Sequence, residues 1–325
     1  MTISLVAGGA GFIGSNLCER LLAAGHTVVC FDNLLTGRRQ NIEHLHAHPR
    51  FRLAELDPVH DDLGAWAPVH QVFHLASPAS PAAYLRYPVA TLRVNAEGTQ
   101  RLLDFAAECG ARLLYASTSE IYGDPLDHPQ REESFGRLSS TGQRSVYHEG
   151  KRYAEALTMA YHREGRADVR IVRIFNTYGP RSDPDDGRIV PKFIRCALTQ
   201  QPIPVYGDGS QTRSLCYIDD LVQGLIAAME WPAASGEVIN LGNPEEHSVL
   251  EYAQIIRKLT GSHAPIAFVA PLTDNEPTRR RPDISKAGRL LGWAPRVGLE
   301  EGLRLTIDYV RRSLSSEEVE VGSGV

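Results

Sequence analysis

The chain has 325 residues, 42% hydrophobic and 22% charged, with a formal net charge of −5. This length and apolar content are enough for one large folded domain or two smaller ones, so a disordered chain is not expected. Because no long basic stripe accompanies the negative net charge, a nucleic-acid partner is excluded as well.

Short β-rich runs alternate with amphipathic segments in the first half of the chain. The sequence predicts strands at residues 3–7, 27–31, 51–56, 71–76, 113–117 and 169–174. It predicts helices between most of them, including residues 13–24, 91–108 and 147–163. Strands that alternate with helices form βαβ units, so the predicted fold is α/β with a doubly wound, parallel Rossmann sheet.

The second half has a different character, with frequent Pro and Gly and no regular alternation through residues 175–212. Later helices are predicted near residues 219–229, 249–259 and 300–312. We therefore predict a Rossmann domain over residues 1–174 with a returning segment near 213–240. A smaller, interwoven substrate-binding domain is predicted over residues 175–212 and 241–314, followed by a flexible tail at 315–325.

The predicted cellular setting is the cytoplasm. The five cysteines are widely spaced and form no CxxC pair, which indicates neither a disulfide framework nor a zinc site. No apolar run approaches the roughly 20 residues of a membrane-spanning helix. The glycine motif that begins at Gly8 comes too early for a cleaved signal peptide.

A glycine motif links the first predicted strand to the first predicted helix, with Gly8, Gly11 and Gly14 in G-x-x-G-x-x-G spacing. Glycines let the backbone approach a pyrophosphate, and the N-terminus of the following helix offers N–H groups to that anion. Asp32 ends the second predicted strand, where a carboxylate binds ribose hydroxyls and repels the extra phosphate of NADP. The predicted cofactor is NAD, although Arg38 and Arg39 nearby leave NADP open.

A second constellation indicates proton chemistry. Tyr147 and Lys151 share one face of a predicted helix, so the ammonium is expected to lower the pKa of the phenol and make it a base. Thr118 follows a predicted strand, at the sheet edge where ligands bind in doubly wound folds. Its hydroxyl is expected to hold the substrate oxygen that Tyr147 deprotonates.

Together these motifs resemble the extended short-chain dehydrogenase/reductase family and, within it, the UDP-glucuronate decarboxylases (UDP-xylose synthases). The resemblance covers roughly residues 3–312. The stretches that carry it are residues 32–38, 74–81, 117–125, 149–152, 173–181, 186–188, 240–247 and 281–284.

The resemblance implies oxidation of UDP-glucuronate at C4 by NAD⁺, loss of carbon dioxide from the 4-keto sugar, and return of the hydride to give UDP-xylose. It also implies a UDP-sugar substrate, a homodimer built through helices 91–108 and 147–163, and no metal. The motifs and the resemblance together give catalytic roles to Thr118, Glu120, Tyr147, Lys151 and Arg280. They give cofactor contacts to Gly8, Gly11, Phe12, Ile13, Gly14, Asp32, Asn33, Thr36, Gly37, Asp57, Leu75, Ala76, Tyr147 and Lys151. They give substrate contacts to Tyr84, Ser119, Asn176, Arg188, Tyr206, Arg213 and Arg280.

Two positions separate this chain from related enzymes. Glu120 is expected to order the sugar, position a water or move a proton near C5, with a purely structural acceptor as the alternative. Dehydratases of this superfamily carry Asp-Glu where this chain has Ser119-Glu120, which argues against water elimination. His148 replaces an aspartate more often found in such decarboxylases; because it lies beside Tyr147 on another helix face, we expect it to have little effect.

Several alternatives remain open at this point. A 4-epimerase needs only the Thr118, Tyr147 and Lys151 set, and a 4,6-dehydratase shares the same first oxidation. A non-catalytic, NAD-binding regulatory protein is possible on the same fold, although it has little need for all three residues. The alternating histidines His44, His46 and His48 favour a polar surface over a metal site.

Overall fold

The chain alternates strands and helices from its first residues onward. The computed structural model describes residues 1–270 and 279–322. Residues 271–278, inside the predicted second domain, and 323–325, at the end of the predicted tail, lie outside the described residues. The strands are β1 (Ile3–Ala7), β2 (Thr27–Phe31), β3 (Phe51–Ala54), β4 (Gln71–His74), β5 (Arg112–Thr118), β6 (Asp168–Ile174), β7 (Thr177–Tyr178), β8 (Ile203–Tyr206), β9 (Thr212–Ser214), β10 (Cys216–Tyr217), β11 (Val238–Leu241), β12 (Glu246–Ser248) and β13 (Ile266–Val269). The α-helices are α1 (Phe12–Ala23), α2 (Pro81–Arg86), α3 (Pro88–Arg93), α4 (Thr99–Cys109), α5 (Ser145–Arg163), α6 (Ile189–Leu198), α7 (Ile218–Glu230), α8 (Val249–Thr260), α9 (Ser285–Leu291) and α10 (Leu299–Gly322).

The central sheet has seven strands within the described residues, in the order β3-β2-β1-β4-β5-β6-β11. Every neighbouring pair in it is parallel. The strand order reverses between β1 and β4, which is the switch point of a doubly wound sheet and the place where ligands bind. The predicted α/β Rossmann fold is therefore confirmed.

Helices cover both faces of this sheet, because successive strand residues point to opposite sides. In β1, Leu5 packs in a buried cluster that includes helix α4, whereas the next residue, Val6, packs in a second cluster that includes helices α1 and α7. Leu113 and Leu114 of β5 divide in the same way. Burial on both faces explains why these strands read as nearly continuous apolar runs.

The C-terminal half adds three two-stranded sheets to this body. Strand β7 pairs with β10 and β8 with β13, both in parallel, and β9 pairs with β12 in antiparallel fashion. Strand β11 returns to the central sheet, where it extends β6. Asn176, just before β7, and Arg213, in β9, lie at the edge of the sheet where β1, β5 and β6 end.

Two of the predicted helices have other bounds in the structure, and α2, α6 and α9 were not predicted. The predicted helix 91–108 is divided into α3, a π-helical turn at Val94–Gly98, and α4. Asn95 in this turn lies inside the protein, where it accepts a hydrogen bond from Tyr115 at 2.9 Å and donates one to Ser77 at 2.9 Å. Helix α10 continues to Gly322, beyond its predicted end at Arg312 and into the segment predicted as a tail.

Candidate active site

A cavity of about 830 Å³ opens at the carboxyl ends of β1, β5 and β6. Its walls bring together distant parts of the chain, from the glycine motif to the segment that follows residue 278. Seventeen of the predicted site residues line it: Gly8, Gly11, Phe12, Ile13, Gly14, Thr36, Gly37, Leu75, Thr118, Ser119, Glu120, Tyr147, Lys151, Asn176, Arg188, Arg213 and Arg280. Six predicted residues are not part of the lining formed by the described chain: Asp32, Asn33, Asp57, Ala76, Tyr84 and Tyr206.

One end of the cavity, which we call the cradle, is formed by Gly8, Gly11 and Gly14 and by the backbone at the start of α1. Gly8 has a φ of +81°, and a Cβ there would lie 2.8 Å from the backbone nitrogen of Ala76, so only glycine fits. A Cβ on Gly14 would overlap the carbonyl oxygen of Gly8. Helix α1 begins at this point with Gly11 as its N-cap and no side-chain cap. Its first N–H groups and its dipole are thus available to an anion, which fits the pyrophosphate of a dinucleotide.

Asp32 lies behind this cradle rather than in its wall. Its carboxylate accepts hydrogen bonds from the backbone N–H groups of Ala10 and Leu34, each at 2.9 Å. Each oxygen keeps a second lone pair for a ribose hydroxyl. Asn33 and Asp57 bond to each other at 3.0 Å, and so brace the loop that follows Asp32.

The predicted proton-transfer residues meet in the middle of the cavity. Tyr147 and Lys151 lie on α5, and Thr118 lies at the end of β5. The Nζ atom of Lys151 donates a hydrogen bond to the carbonyl oxygen of Ala116 at 2.8 Å and lies 5.9 Å from the ring centroid of Tyr147. The spacing of these residues in the sequence thus gives the expected side-by-side arrangement.

The pKa of Tyr147 differs from the prediction. Burial, together with the charge of Glu120, raises the pKa of Tyr147 above its usual range. Burial also lowers the pKa of Lys151 to about 7. The predicted lowering of the tyrosine pKa by Lys151 is therefore wrong: burial dominates at Tyr147, and the Lys151 amine is itself buried and bonded to Ala116.

The other end of the cavity is a cluster of buried charges around Glu120. Its Oε2 atom accepts hydrogen bonds from Arg144 at 2.8 Å and from Nε2 of His148 at 3.0 Å. Arg280 approaches Oε1 at 3.7 Å. Burial would raise the pKa of Glu120, but the hydrogen bond from His148 and the charges of Arg280 and Arg144 lower it to about 2. Glu120 is therefore an ionised carboxylate at neutral pH.

Two members of this cluster were missed by sequence reasoning. Arg144 was not assigned to the site, and His148 was expected to have little effect; both nevertheless contact Glu120. They are four positions apart at the start of α5, so they share a helix face, and that spacing was the available signal. What the sequence did not reveal is that Glu120 faces this side of the helix.

Two predicted substrate residues, Tyr84 and Tyr206, lie outside the cavity lining that the described chain forms. Tyr84 is fully buried and stacks on Tyr147, with ring centroids 5.1 Å apart and planes 8° from parallel. Its hydroxyl accepts a hydrogen bond from Nε of Arg144 at 2.9 Å, so it links Tyr147 to the charged cluster. Tyr206, at the end of β8, lies outside the cavity lining, and its predicted contact with the uracil stays a prediction.

Neither a metal site nor a membrane span is found in the described residues. No group of three or more His, Cys, Asp and Glu side chains there has the arrangement to hold a metal ion. No helix of that part of the chain has the length and apolar character to cross a bilayer.

A Rossmann sheet, a dinucleotide cradle and a Thr-Tyr-Lys set in one cavity define an NAD-dependent enzyme of the extended short-chain dehydrogenase/reductase class. Residues 4–242 match the NAD dependent epimerase/dehydratase family, and the chain belongs to it. This membership confirms NAD as the cofactor.

Relatives of known name resemble nearly the whole chain. It is 48% identical to UDP-glucuronic acid decarboxylase 1 of Xenopus tropicalis, over 96% of this chain and 73% of that protein. It is 47% identical to UDP-glucuronic acid decarboxylase 1 of Arabidopsis thaliana, over 97% of this chain and 71% of that protein. Among solved structures, UDP-glucuronic acid 4-epimerase of Bacillus cereus with UDP-glucuronic acid and NAD superimposes with a TM-score of 0.87. That structure is 32% identical, over 96% of this chain and 100% of that one.

Proposed function

We propose that the chain is a UDP-glucuronate decarboxylase that forms UDP-xylose through a 4-keto intermediate and regenerates its NAD. The observation that carries this proposal is the position of Tyr147 beside a buried carboxylate and two arginines in one cavity. The names of the relatives at 47–48% identity over most of the chain support it.

The first half-reaction takes place where Thr118 and Tyr147 meet. The Thr118 hydroxyl orients the 4-hydroxyl of the sugar, and the Tyr147 oxygen takes its proton as C4 is oxidised. When bound, NAD⁺ would reversibly accept the hydride from C4 of the sugar, and its positive charge would favour the ionised form of the Tyr147 phenol. Lys151 assists from the same helix face, with its amine held by Ala116.

The second half-reaction takes place at the charged end. Arg144 and Arg280 are the cations of the cluster, and a guanidinium binds a carboxylate with charge-assisted hydrogen bonds. They therefore orient C6 of the sugar. The 4-ketone lies β to this carboxylate, so the electrons of the breaking C5–C6 bond pass into an enolate and carbon dioxide leaves. A water proton, oriented by the ionised Glu120, then takes the place of the carboxylate at C5. The hydride goes back to C4, and Tyr147 gives its proton back to the 4-oxygen.

A 4-epimerase is the second candidate function. The solved structure of UDP-glucuronic acid 4-epimerase from Bacillus cereus covers 96% of this chain with a TM-score of 0.87. An epimerase requires the same Thr118, Tyr147 and Lys151, but must retain the carboxylate while the sugar presents its other face. The clustering of Arg144, Arg280 and Glu120 at 3.7 Å or less favours the decarboxylase, because it fixes the carboxylate end of the sugar.

Product identification tests this proposal. The purified protein is incubated with UDP-glucuronate and NAD⁺, and the product is analysed by mass spectrometry and proton NMR. A pentose product that has lost carbon dioxide is expected. A hexuronate of unchanged mass with inverted C4 would replace the decarboxylase with the epimerase. No turnover, with NAD still bound, would favour a regulatory protein.

The division of the chain follows from this function. Residues 1–174 with a returning segment near 213–240 form the NAD-binding domain, and residues 175–212 and 241–314 form the sugar-nucleotide domain. Support comes from the cavity, which has glycine-motif residues at one end and Asn176, Arg188 and Arg280 from the second part elsewhere in its wall. The cytoplasm suits the five cysteines, which are all free thiols.

A homodimer is part of the same proposal. Helices α3 and α5 pack together and expose apolar side chains: Val89 is 66% exposed, Leu92 40% and Tyr153 52%. Pairing of these helices with those of a second copy would cover this face as a four-helix bundle. Light scattering is expected to give twice the chain mass, and Val89→Asp is expected to shift the protein toward the monomer.

A further inference from the structure

The Glu120 carboxylate has partners of two kinds. Arg144 and Arg280 line the cavity together with Glu120, and a bound substrate can reach them. His148 is 8% exposed and does not belong to the cavity lining that the described chain forms. Its Nε2 nevertheless lies 3.0 Å from Oε2 of Glu120. Glu120 is thus held from the cavity side by arginines and from the protein side by a histidine.

We propose that His148 is a positioning residue, which holds Glu120 in place while the substrate carboxylate engages Arg144 and Arg280. This inference rests on the proposed function, because it requires a substrate that carries a carboxylate. His148 itself does not touch the sugar, because it lies outside the cavity lining of the described chain.

Competition for the arginines is the reason that Glu120 needs a second partner. Arg144 uses Nη2 for Glu120 and Nε for the hydroxyl of Tyr84. A substrate carboxylate in the cavity competes with Glu120 for the same guanidinium groups. A buried carboxylate that loses its cations either takes up a proton or moves toward water. A donor outside the reach of the substrate prevents both outcomes.

The chemistry of His148 suits this task. An ionised carboxylate only accepts hydrogen bonds, so Nε2 of His148 carries the proton and donates it to Glu120. His148 and Glu120 therefore form a matched donor and acceptor.

A comparison of two substrates distinguishes this positioning role of His148 from a general structural role. UDP-glucuronate carries the carboxylate that competes for Arg144, whereas UDP-xylose offers a C4 hydroxyl without it. Turnover of UDP-glucuronate to the pentose is measured for the wild type, His148→Leu and His148→Gln. Formation of reduced nicotinamide from NAD⁺ and UDP-xylose is measured with the same proteins. His162→Leu, on the same helix and away from the cavity lining of the described chain, is the matched control.

The expected result is a selective loss. Leucine removes the donor, so kcat for UDP-glucuronate falls about tenfold to a hundredfold, the loss expected for a hydrogen bond to a charged group. Oxidation of UDP-xylose stays close to wild type, because Arg144 remains on Glu120. Glutamine, whose amide N–H reaches about as far as Nε2, restores most of the lost turnover.

Two results would overturn the proposal. Wild-type kcat in His148→Leu means that Glu120 needs no second partner, and equal losses with both substrates mean a merely structural role. If His148→Leu does not fold, His148→Asn makes the same test with an amide too short to reach Glu120. Equal kcat in the Asn and Gln variants overturns the proposal. A wild type that forms no pentose overturns the proposed function itself, which the wild-type assay shows separately.

Discussion

The two ends of the cavity are formed by different kinds of chemical group. At the cofactor end, Gly8, Gly11 and Gly14 leave room for a ligand, and backbone N–H groups at the start of α1 provide the attraction. At the sugar end, Glu120 lies among buried, charged side chains that belong to separate segments of the chain. The first end is specified by shape and the second by charge balance.

Because of this difference, substitutions at the two ends are expected to act in different ways. An added atom at the cofactor end collides with backbone that has no freedom to move, so the effect is steric and independent of pH. A changed charge at the sugar end leaves its partners buried and unbalanced, so the effect is electrostatic and varies with pH. Variants of the two ends therefore test the comparison separately.

The largest effect is expected where the two ends meet. Tyr147→Phe removes the oxygen that takes the proton of the sugar, so turnover is expected to fall by about 10²–10⁴. NAD binding should remain, since the cradle is untouched. Steady-state rates with UDP-glucuronate and fluorescence titration with NAD check both points. Tyr153→Phe, a 52% exposed site on the same helix, is the control and should keep full activity. Near wild-type turnover in Tyr147→Phe would remove the tyrosine from the mechanism.

A purely steric loss is expected at the cofactor end. The Cβ of Gly14→Ala would overlap the carbonyl oxygen of Gly8, and overpacking of this kind costs about 1–3 kcal/mol. NAD affinity should therefore fall about tenfold to a hundredfold, by the same factor at every pH. Gly288→Ala, where the added Cβ has its nearest contact at 3.9 Å, serves as the control. Calorimetric titration that gives equal Kd values for Gly14→Ala and wild type would contradict the cradle.

A pH-dependent loss is expected at the sugar end. In His148→Asp a like charge replaces a donor, so the pKa of Glu120 should rise from about 2. Arg144 and Arg280 still favour its ionised form, and the nearby Tyr84 stays neutral below about pH 10.

A higher pKa means that Glu120 takes up a proton at a higher pH, so activity should be lost sooner as the pH falls. The acid limb of the kcat profile is expected to move up by about one pH unit or more. His148→Gln should keep the wild-type profile. Superimposable profiles of wild type and His148→Asp would show that the charge balance around Glu120 does not govern the rate.

The smallest effect concerns stability rather than turnover. The pKa of Lys151 is about 7 in the folded protein against 10.5 in the unfolded chain. Between these values the unfolded state holds more protons, so this lysine makes the free energy of unfolding rise with pH, by at most about 1.4 kcal/mol per pH unit. Without NAD, urea unfolding of wild type and Lys151→Met should therefore diverge between about pH 7 and pH 9. Groups shared by both proteins cancel in the difference. Parallel curves would contradict the burial of this amine.

Sequence patterns predicted what is local along the chain. The strand, glycine turn and helix of the cofactor end are contiguous, so Gly8 to Gly14 could be placed without a structure. Tyr147 and Lys151 share a helix face and were placed in the same way. The partners of Glu120 could not be predicted, because Glu120 and Arg144 meet only after β5 and α5 pack together. The stacking of Tyr84 on Tyr147 also depends on packing between elements that are far apart in sequence.

The central claim is that oxidation of the sugar at C4 and loss of carbon dioxide from C5 take place in the same cavity. Its most direct test is conversion of UDP-glucuronate in deuterium oxide, followed by proton NMR of the product. We expect UDP-xylose with one deuterium at C5 and the original hydrogen retained at C4, since the hydride leaves and returns. A hexuronate with its carboxylate intact and C4 inverted would contradict it.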